Sequence, residues 1–112
     1  MLTTLLRPLF MRRARVIETY ATQAHAIQRR QLGDLLRSAR DTEWGHTHHF
    51  DRLAKDADPY DAFRRTVPIN AYEALQPYIR RMIDGQRDVL WPGTVRWFAQ
   101  SSGTTDARSK YI

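Results

Sequence analysis

A long stretch of helical periodicity between Arg12 and Arg40 constrains this fold more than any other feature. Arginines and glutamines lie opposite its apolar face, and Gly33 interrupts it at a cost of about 1 kcal/mol relative to alanine. A single helix of that length needs a partner surface. We therefore expect a long N-terminal helical region, residues 1–40, packed on the rest of a larger protein. Its stripe at helical spacing comprises Ile17, Tyr20, Ala21, Ala24, Ile27, Gln28, Gln31, Leu32, Leu35 and Leu36.

Residues 41–93 read as short helices and turns. Asp41 to Phe50 is expected to be a connection, and Asp58 is expected to cap a helix that starts at Pro59. That helix should carry Tyr60 and Phe63 inward. A second short helix is predicted from a capping box, a third is predicted to restart at a proline and end at a glycine, and a turn should follow. The residues concerned are Asn70 and Glu73 for the box, Pro77 and Gly85 for the third helix, and Trp91-Pro92-Gly93 for the turn.

Three histidines in the connection, His46, His48 and His49, raise the possibility of a metal site. Zinc requires ligands that converge on one point, and this short run has no cysteine or carboxylate partner to complete a set. We therefore interpret the three side chains as solvated loop histidines and expect no metal ligands in the chain.

A hydroxyl-rich segment follows a predicted strand, Val95–Ala99, whose β-branched and aromatic residues favour extended backbone. The segment offers hydroxyl donors, a glycine that lets a ligand approach the backbone, and a lysine that suits a polyphosphate. It is no Walker A loop, because a second glycine does not precede the lysine. Serine, threonine and glycine are also common turn formers, so a plain turn is the competing interpretation. The candidate ligand-binding residues are Ser101, Ser102, Gly103, Thr104, Thr105 and Lys110.

The same loop, together with three phrases upstream and around it, resembles the acyl acid amido synthetases. These are the auxin-responsive indole-3-acetate and jasmonate-amido synthetases of plants and their bacterial relatives, within the acyl-adenylate-forming superfamily. The resemblance is carried by TEWG at Thr42–Gly45, VPINAYEALQPYIRRMIDG at Val67–Gly85 and LWPGTVRWFAQSSGTT at Leu90–Thr105. It covers the chain from about Gln28 onward, and this combination is far more specific than the loop alone.

This resemblance implies a fold class and a reaction. The fold is α+β, a mainly helical N-terminal segment leading into a strand and phosphate-binding loop, and residues 94–112 hold that strand and loop. Residues 1–112 would be the N-terminal part of one adenylate-forming domain. ATP and Mg²⁺ are the implied cofactors, and a carboxylic acid is the implied substrate, adenylated and then joined to an amine or amino acid.

Carried over position by position, the family's motif puts Ser101 to Thr105 around the phosphates of ATP and Lys110 at the motif's lysine. Ala107 departs from the pattern, since many members have glycine there, and alanine tolerates fewer backbone shapes. The adenine, ribose and acyl pockets are missing from 112 residues. We therefore expect the chain to be an N-terminal fragment, inactive and only marginally folded on its own.

The net charge of +6 raises a function of another class, a free-standing basic helical module that binds nucleic acid or a partner protein. Arginines are spread along the chain among acids, and no helix-turn-helix, finger or RNA-binding signature is present, so we expect no specific nucleic-acid partner. The chain also lacks cysteine and any apolar run of membrane-spanning length. We expect a cytoplasmic protein with no membrane span.

Overall fold

In the computed structural model, which describes residues 2–101 and 109–112, the chain is mainly helical. This confirms the expected mainly helical segment. The elements, in chain order, are α1 (Leu2–Ala39), α2 (Glu43–Thr47), α3 (Phe50–Leu53), α4 (Pro59–Thr66) and α5 (Tyr72–Ile83).

Helix α1 is longer than its periodicity predicts, because it begins at Leu2 rather than Arg12 and includes Pro8. Its backbone breaks at Gln23, where φ is −125° and ψ is 21°. Neither proline nor glycine stands there, so the sequence carries no signal for the break. Every side chain described before Ile27 is exposed. The radius of gyration is consequently 18.7 Å, against about 13 Å for a compact chain of this length.

The core lies at the C-terminal end of α1. Only the last part of the expected stripe is used, from Leu32 onward, while Ile17 is 64% exposed. Phe63 packs inward as predicted, but Tyr60 is 43% exposed and lies under the Arg29 guanidinium, 5.4 Å from its ring centre. The buried core residues are Leu36, Ala39, Phe50, Leu53 and Ala62, and those packed against them are Leu32, Trp44, Ala54, Phe63 and Val67.

The segment Thr42–Gly45, which we call the α1–α2 junction, turns the chain sharply after α1. Thr42 is fully buried, and its hydroxyl donates to the Ala39 carbonyl at 2.7 Å and accepts from the Gly45 amide at 3.0 Å. It therefore closes the end of α1 and caps α2 with one oxygen. Gly45 lies so close to α1 that a Cβ atom there would come within 2.1 Å of the Ala39 oxygen. The region expected to be a plain connection thus contains α2 and the start of α3, and α2 is in close backbone contact with the end of α1.

Helix α5 is attached to this junction by side chains on both sides. The Trp44 ring meets the Tyr78 ring edge-on, with centroids 5.2 Å apart, and Arg81 donates to the Glu43 carboxylate at 2.8 Å. That hydrogen bond, followed by the Arg81 charge, holds the pKa of Glu43 below its usual value although burial acts in the opposite direction. Val89, also buried, accepts from the Trp44 amide at 3.0 Å. The start of α2 and the end of α5 are therefore held together.

The local signals at helix ends were partly correct. Asp58 caps α4 by accepting from the Asp61 amide at 3.3 Å, and Gly85 follows the end of α5 with φ of 91°, both as predicted. The predicted capping box is wrong. Ala71 is the N-cap of α5, without a side-chain bond, and the Asn70 amide donates to the Pro68 carbonyl instead.

Helix α5 also runs through Pro77 without a break, so the two short helices expected there form one. A proline in a helix removes one hydrogen bond and crowds the preceding turn. Here the residue lies on the exposed side, at the sixth of the twelve positions of the helix. The remaining bonds and the packing of the next turns, at Tyr78 and Met82, maintain the helix.

The expected strand Val95–Ala99 is not formed as such within residues 2–101 and 109–112. A strand requires a neighbouring backbone, and Val95 to Phe98 have no ladder partner in the described part of the chain. Pairing begins only at Ala99, and a single antiparallel bridge joins Gln100 to Tyr111. The preceding turn is present as predicted, closed by a hydrogen bond of 2.6 Å from the Gly93 amide to the Asp88 carboxylate.

Candidate functional site

Two short stretches of backbone, residues 99–101 and residues 110–112, pair at the base of the hydroxyl-rich segment. We call them the arms, and residues 110–112 are the returning arm. Ala99 and Ile112 exchange both backbone hydrogen bonds, at 2.9 and 2.8 Å, and the Ser101 amide donates to the Lys110 carbonyl at 2.9 Å. The pattern is that of an antiparallel pair. Ser101 and Lys110, which flank the segment, are therefore held close to each other.

Of the six candidate residues, the structure describes Ser101 and Lys110 and brings them together. The Lys110 amide donates to the Ser101 hydroxyl oxygen at 3.0 Å, and the hydroxyl hydrogen has no acceptor among the described residues. The remaining candidates, and the departure from the motif at Ala107, lie outside the described residues. These candidates are Ser102, Gly103, Thr104 and Thr105.

The first turn of α5 contacts the returning arm. The Tyr72 hydroxyl oxygen accepts a hydrogen bond of 2.9 Å from the Tyr111 amide, and the Lys110 ammonium lies 5.0 Å from the Tyr72 ring centre. The ammonium is also 3.9 Å from the Glu73 carboxylate, a loose ion pair in which both side chains are largely exposed. The lysine charge is thus placed by an aromatic ring and a weak counter-ion, and its ammonium makes no hydrogen bond to any of the described residues.

A cleft of about 230 Å³ opens beside this contact, between the outer face of α5 and the returning arm. Its walls combine apolar and charged side chains, including Ile79, Arg80 and Asp84 from α5 and Tyr111 from the arm. A cleft of this size lies below the usual range for a drug-sized ligand. We assign no separate ligand to it.

The chemistry of the described residues fits a phosphate group. Among the described residues the Ser101 hydroxyl donates to no acceptor, Lys110 supplies a positive charge, and the paired arms fix where both are placed. Such groups suit phosphate oxygens. Mg²⁺ is commonly held by phosphates and one or two carboxylates, and the described residues contain no cluster of His, Cys, Asp and Glu that could hold a metal by itself.

The histidines of the 41–50 region are placed apart from this site. His48 is partly buried, its ring 4.2 Å from that of Trp44, and burial followed by the neighbouring His49 charge lowers the pKa of His48. His49 has a left-handed backbone, with φ of 55°, and precedes α3. These side chains contribute to local packing and helix boundaries.

Sequence reasoning missed Tyr72. It lies between the two residues predicted as a capping box, and it contacts residues 39 positions further along the chain. Local periodicity identifies its helix but cannot reveal that its hydroxyl meets a backbone amide of the returning arm. Only the three-dimensional arrangement of α5 and the arm makes its role visible.

Comparison with known proteins gives one family and a group of plant relatives. The GH3 family N-terminal domain matches residues 13–112. An indole-3-acetic acid-amido synthetase, GH3.8, of Oryza sativa subsp. indica is 35% identical over 99 residues, which cover 88% of this chain and 16% of the relative. A 4-substituted benzoates-glutamate ligase, GH3.12, of Arabidopsis thaliana is 28% identical over 97 residues, covering 86% of this chain and 16% of the relative.

The chain thus spans about one sixth of the length of the relatives it matches. A search of the described helices finds none with the length and apolar character of a membrane span.

Proposed function

Because this chain belongs to the GH3 family, we propose that it is the N-terminal part of an ATP-dependent enzyme that adenylates a carboxylic acid. The acyl group is then joined to an amine or an amino acid. The observation that carries the proposal is the family match, which extends through the hydroxyl-rich segment to Lys110. The relatives' names support it, since both describe joining an acid to an amino compound.

The first half-reaction forms an acyl-adenylate. A substrate carboxylate oxygen attacks the α-phosphorus of ATP, the bond from that phosphorus to the bridging oxygen of the β-phosphate breaks, and pyrophosphate leaves. Negative charge accumulates on the leaving pyrophosphate, so donors held in place around it lower the barrier. Magnesium, when bound with ATP, would neutralise part of this charge.

In the second half-reaction, an amine attacks the acyl carbon, an amide bond forms and AMP leaves with the electron pair of the broken C–O bond. The amine must lose a proton during this step. The role that we propose for the residues of this chain is the binding of the nucleotide.

The proposed nucleotide-binding residues are Ser101, Ser102, Gly103, Thr104, Thr105 and Lys110. The hydroxyl groups would donate to phosphate oxygens, the glycine would let the backbone approach, and the lysine would supply charge to the β- and γ-phosphates. Support comes from the described ends of the segment, where Ser101 and Lys110 lie side by side.

The chain alone is proposed to be inactive. Several large apolar side chains on its surface suit burial against further protein, most clearly Ile69, Trp97 and Ile112. Exposed apolar residues are common singly, but Trp97 and Ile112 both lie beyond the turn that leads to the candidate site, and Ile69 lies in the connection between α4 and α5.

The decisive experiment is ATP–pyrophosphate exchange by the full-length protein, with a panel of aromatic and aliphatic carboxylic acids. Acid-dependent exchange is expected. Lys110→Met should lower its rate about 10²-fold, by analogy with the loss of one charge-stabilising donor. The matched control is Lys55→Met, since Lys55 is the other lysine of the chain and lies in the exposed turn after α3.

Acid-dependent exchange that falls with Lys110→Met and not with Lys55→Met supports the proposal. Absence of exchange with every acid, combined with no binding of ATP, contradicts it. If the protein shows neither exchange nor ATP binding and instead binds nucleic acid with a steep salt dependence, the basic-module alternative is favoured.

A further inference from the structure

We propose that Tyr72 is a positioning residue that holds Lys110 in place for the phosphates of ATP. The inference rests on the proposed function, because it assumes that Lys110 meets the nucleotide. It extends that function to a helix residue distant in sequence from the hydroxyl-rich segment.

The first contact fixes the backbone beside the lysine. Gln100 and Tyr111 face each other across the paired arms without exchanging hydrogen bonds, so the Tyr111 amide points away from the opposite arm. The Tyr72 hydroxyl oxygen accepts from that amide at 2.9 Å. A backbone donor on the outer edge of the pair is thereby satisfied, and the arm is attached to a helix.

The second contact orients the lysine side chain. Its ammonium lies 5.0 Å from the centre of the Tyr72 ring, within the range of a cation–π interaction. An aromatic face attracts the charge without occupying its N–H donors, unlike a carboxylate that accepts hydrogen bonds. The Lys110 ammonium is therefore held where it can still donate to phosphate oxygens.

The helix that carries Tyr72 is itself fixed. Later turns of α5 are held to the α1–α2 junction by the Trp44–Tyr78 ring contact and the Glu43–Arg81 hydrogen bond. Tyr72 thus holds Lys110 in place relative to the helices, in addition to the hydrogen bonds that attach it to the opposite arm. A charge held in advance loses less freedom when the ligand binds, which favours affinity.

The test uses steady-state kinetics of the full-length protein and compares Tyr72→Phe with the control Tyr78→Phe. The first variant removes the hydroxyl that accepts from Tyr111 and keeps the ring under the ammonium. The control removes a hydroxyl from the same helix that makes no hydrogen bond within the described residues. A third variant, Tyr72→Leu, removes both contacts of Tyr72.

We expect Tyr72→Phe to raise the KM for ATP roughly three- to tenfold, the range for loss of one hydrogen bond. Tyr72→Leu should raise it further. The KM for the carboxylic acid and the melting temperature should stay close to those of Tyr78→Phe. Amide hydrogen exchange at Tyr111 should be faster in Tyr72→Phe than in the control, which measures the contact itself.

An unchanged KM for ATP in both Tyr72 variants overturns the positioning role, provided the wild-type protein catalyses exchange. An equal rise of both KM values with a fall in melting temperature also overturns it, since that indicates a general loss of structure. If the wild-type protein neither exchanges pyrophosphate nor binds ATP, the proposed function itself fails. The failures of the two proposals are therefore distinguishable.

Discussion

Replacing Gly45 with alanine should severely weaken the α1–α2 junction. A Cβ atom at this position would lie 2.1 Å from the Ala39 carbonyl oxygen and 2.8 Å from the Arg40 oxygen. Both are backbone atoms at the end of a helix, so no flexible side chain can swing away. The variant can be accommodated only if α2 moves away from α1.

The size of the effect follows from two contributions. Extra volume in a packed site typically costs about 1–3 kcal/mol. Moving α2 also stretches the 3.0 Å bond from the Gly45 amide to the Thr42 hydroxyl, and loss of such a cap costs about 0.5–2 kcal/mol. Together these give a loss of about 1.5–5 kcal/mol in the free energy of unfolding, a substantial part of the total for most domains.

Urea unfolding followed by circular dichroism at 222 nm measures the difference. Gly33→Ala is the matched control, because a Cβ there would meet only the mobile end of the Arg37 side chain, at 3.4 Å. In the interior of a helix that change should stabilise by up to about 1 kcal/mol. The same chemical substitution thus has opposite signs at two sites. Equal stability of Gly45→Ala and wild type would refute the close-approach argument.

Three further changes test the remaining contacts. Thr42→Val should lower the free energy of unfolding by about 1–3 kcal/mol because it leaves buried groups unpaired, whereas Thr42→Ser should lose about 1 kcal/mol or less; urea titration checks both. Glu43 has a depressed pKa, so its stabilising contribution is complete above about pH 4.3 and is lost as the pH falls through the folded-state pKa. Glu43→Gln should therefore flatten the acid side of the stability curve, measured as melting temperature against pH, and an unchanged slope would contradict the Arg81 contact. Glu73→Gln should change the KM for ATP less than about twofold, since its ion pair with Lys110 is loose and exposed; a larger change in the exchange assay would show that the carboxylate, rather than the ring, places the ammonium.

Features decided by neighbouring residues were predictable from the sequence. The Asp58 cap with Pro59 in the first turn, the end of α5 before Gly85, and the turn closed at Gly93 all depend on the conformational preferences of one or two residues. The same applies to the C-terminal part of the α1 stripe, where Leu36 is buried as its spacing indicates. Such signals are legible because their physical cause lies within a few residues.

The errors arose where a distant partner decides the outcome. Ile17 and Tyr20 follow the helical stripe, yet the described chain offers them no packing partner, and both are exposed. The segment from Val95 has strand-forming residues, but strand formation needs a neighbouring backbone, and pairing starts only at Ala99. Asn70 and Glu73 have the spacing of a capping box, but the helix begins at Tyr72. Residue preference does not determine where a partner lies.

The candidate site contains residues that the sequence alone could indicate and residues whose role depends on distant partners. The hydroxyl groups and Lys110 could be proposed as phosphate-binding residues from the sequence, because phosphate binding favours particular residue types. The phrase TEWG helped to identify the family, but the structure gives its residues a packing role, with Thr42 and Gly45 allowing α1 and α2 to touch.

Tyr72 could not be identified from its residue type or from a local pattern, because its partner Tyr111 lies 39 positions away. Helix α5 connects the α1–α2 junction with the candidate site. Its middle turns are held to the junction, and its first turn contacts the arm that carries Lys110. A substitution at the junction should therefore mainly change the free energy of unfolding, and a substitution at Tyr72 should mainly change the KM for ATP.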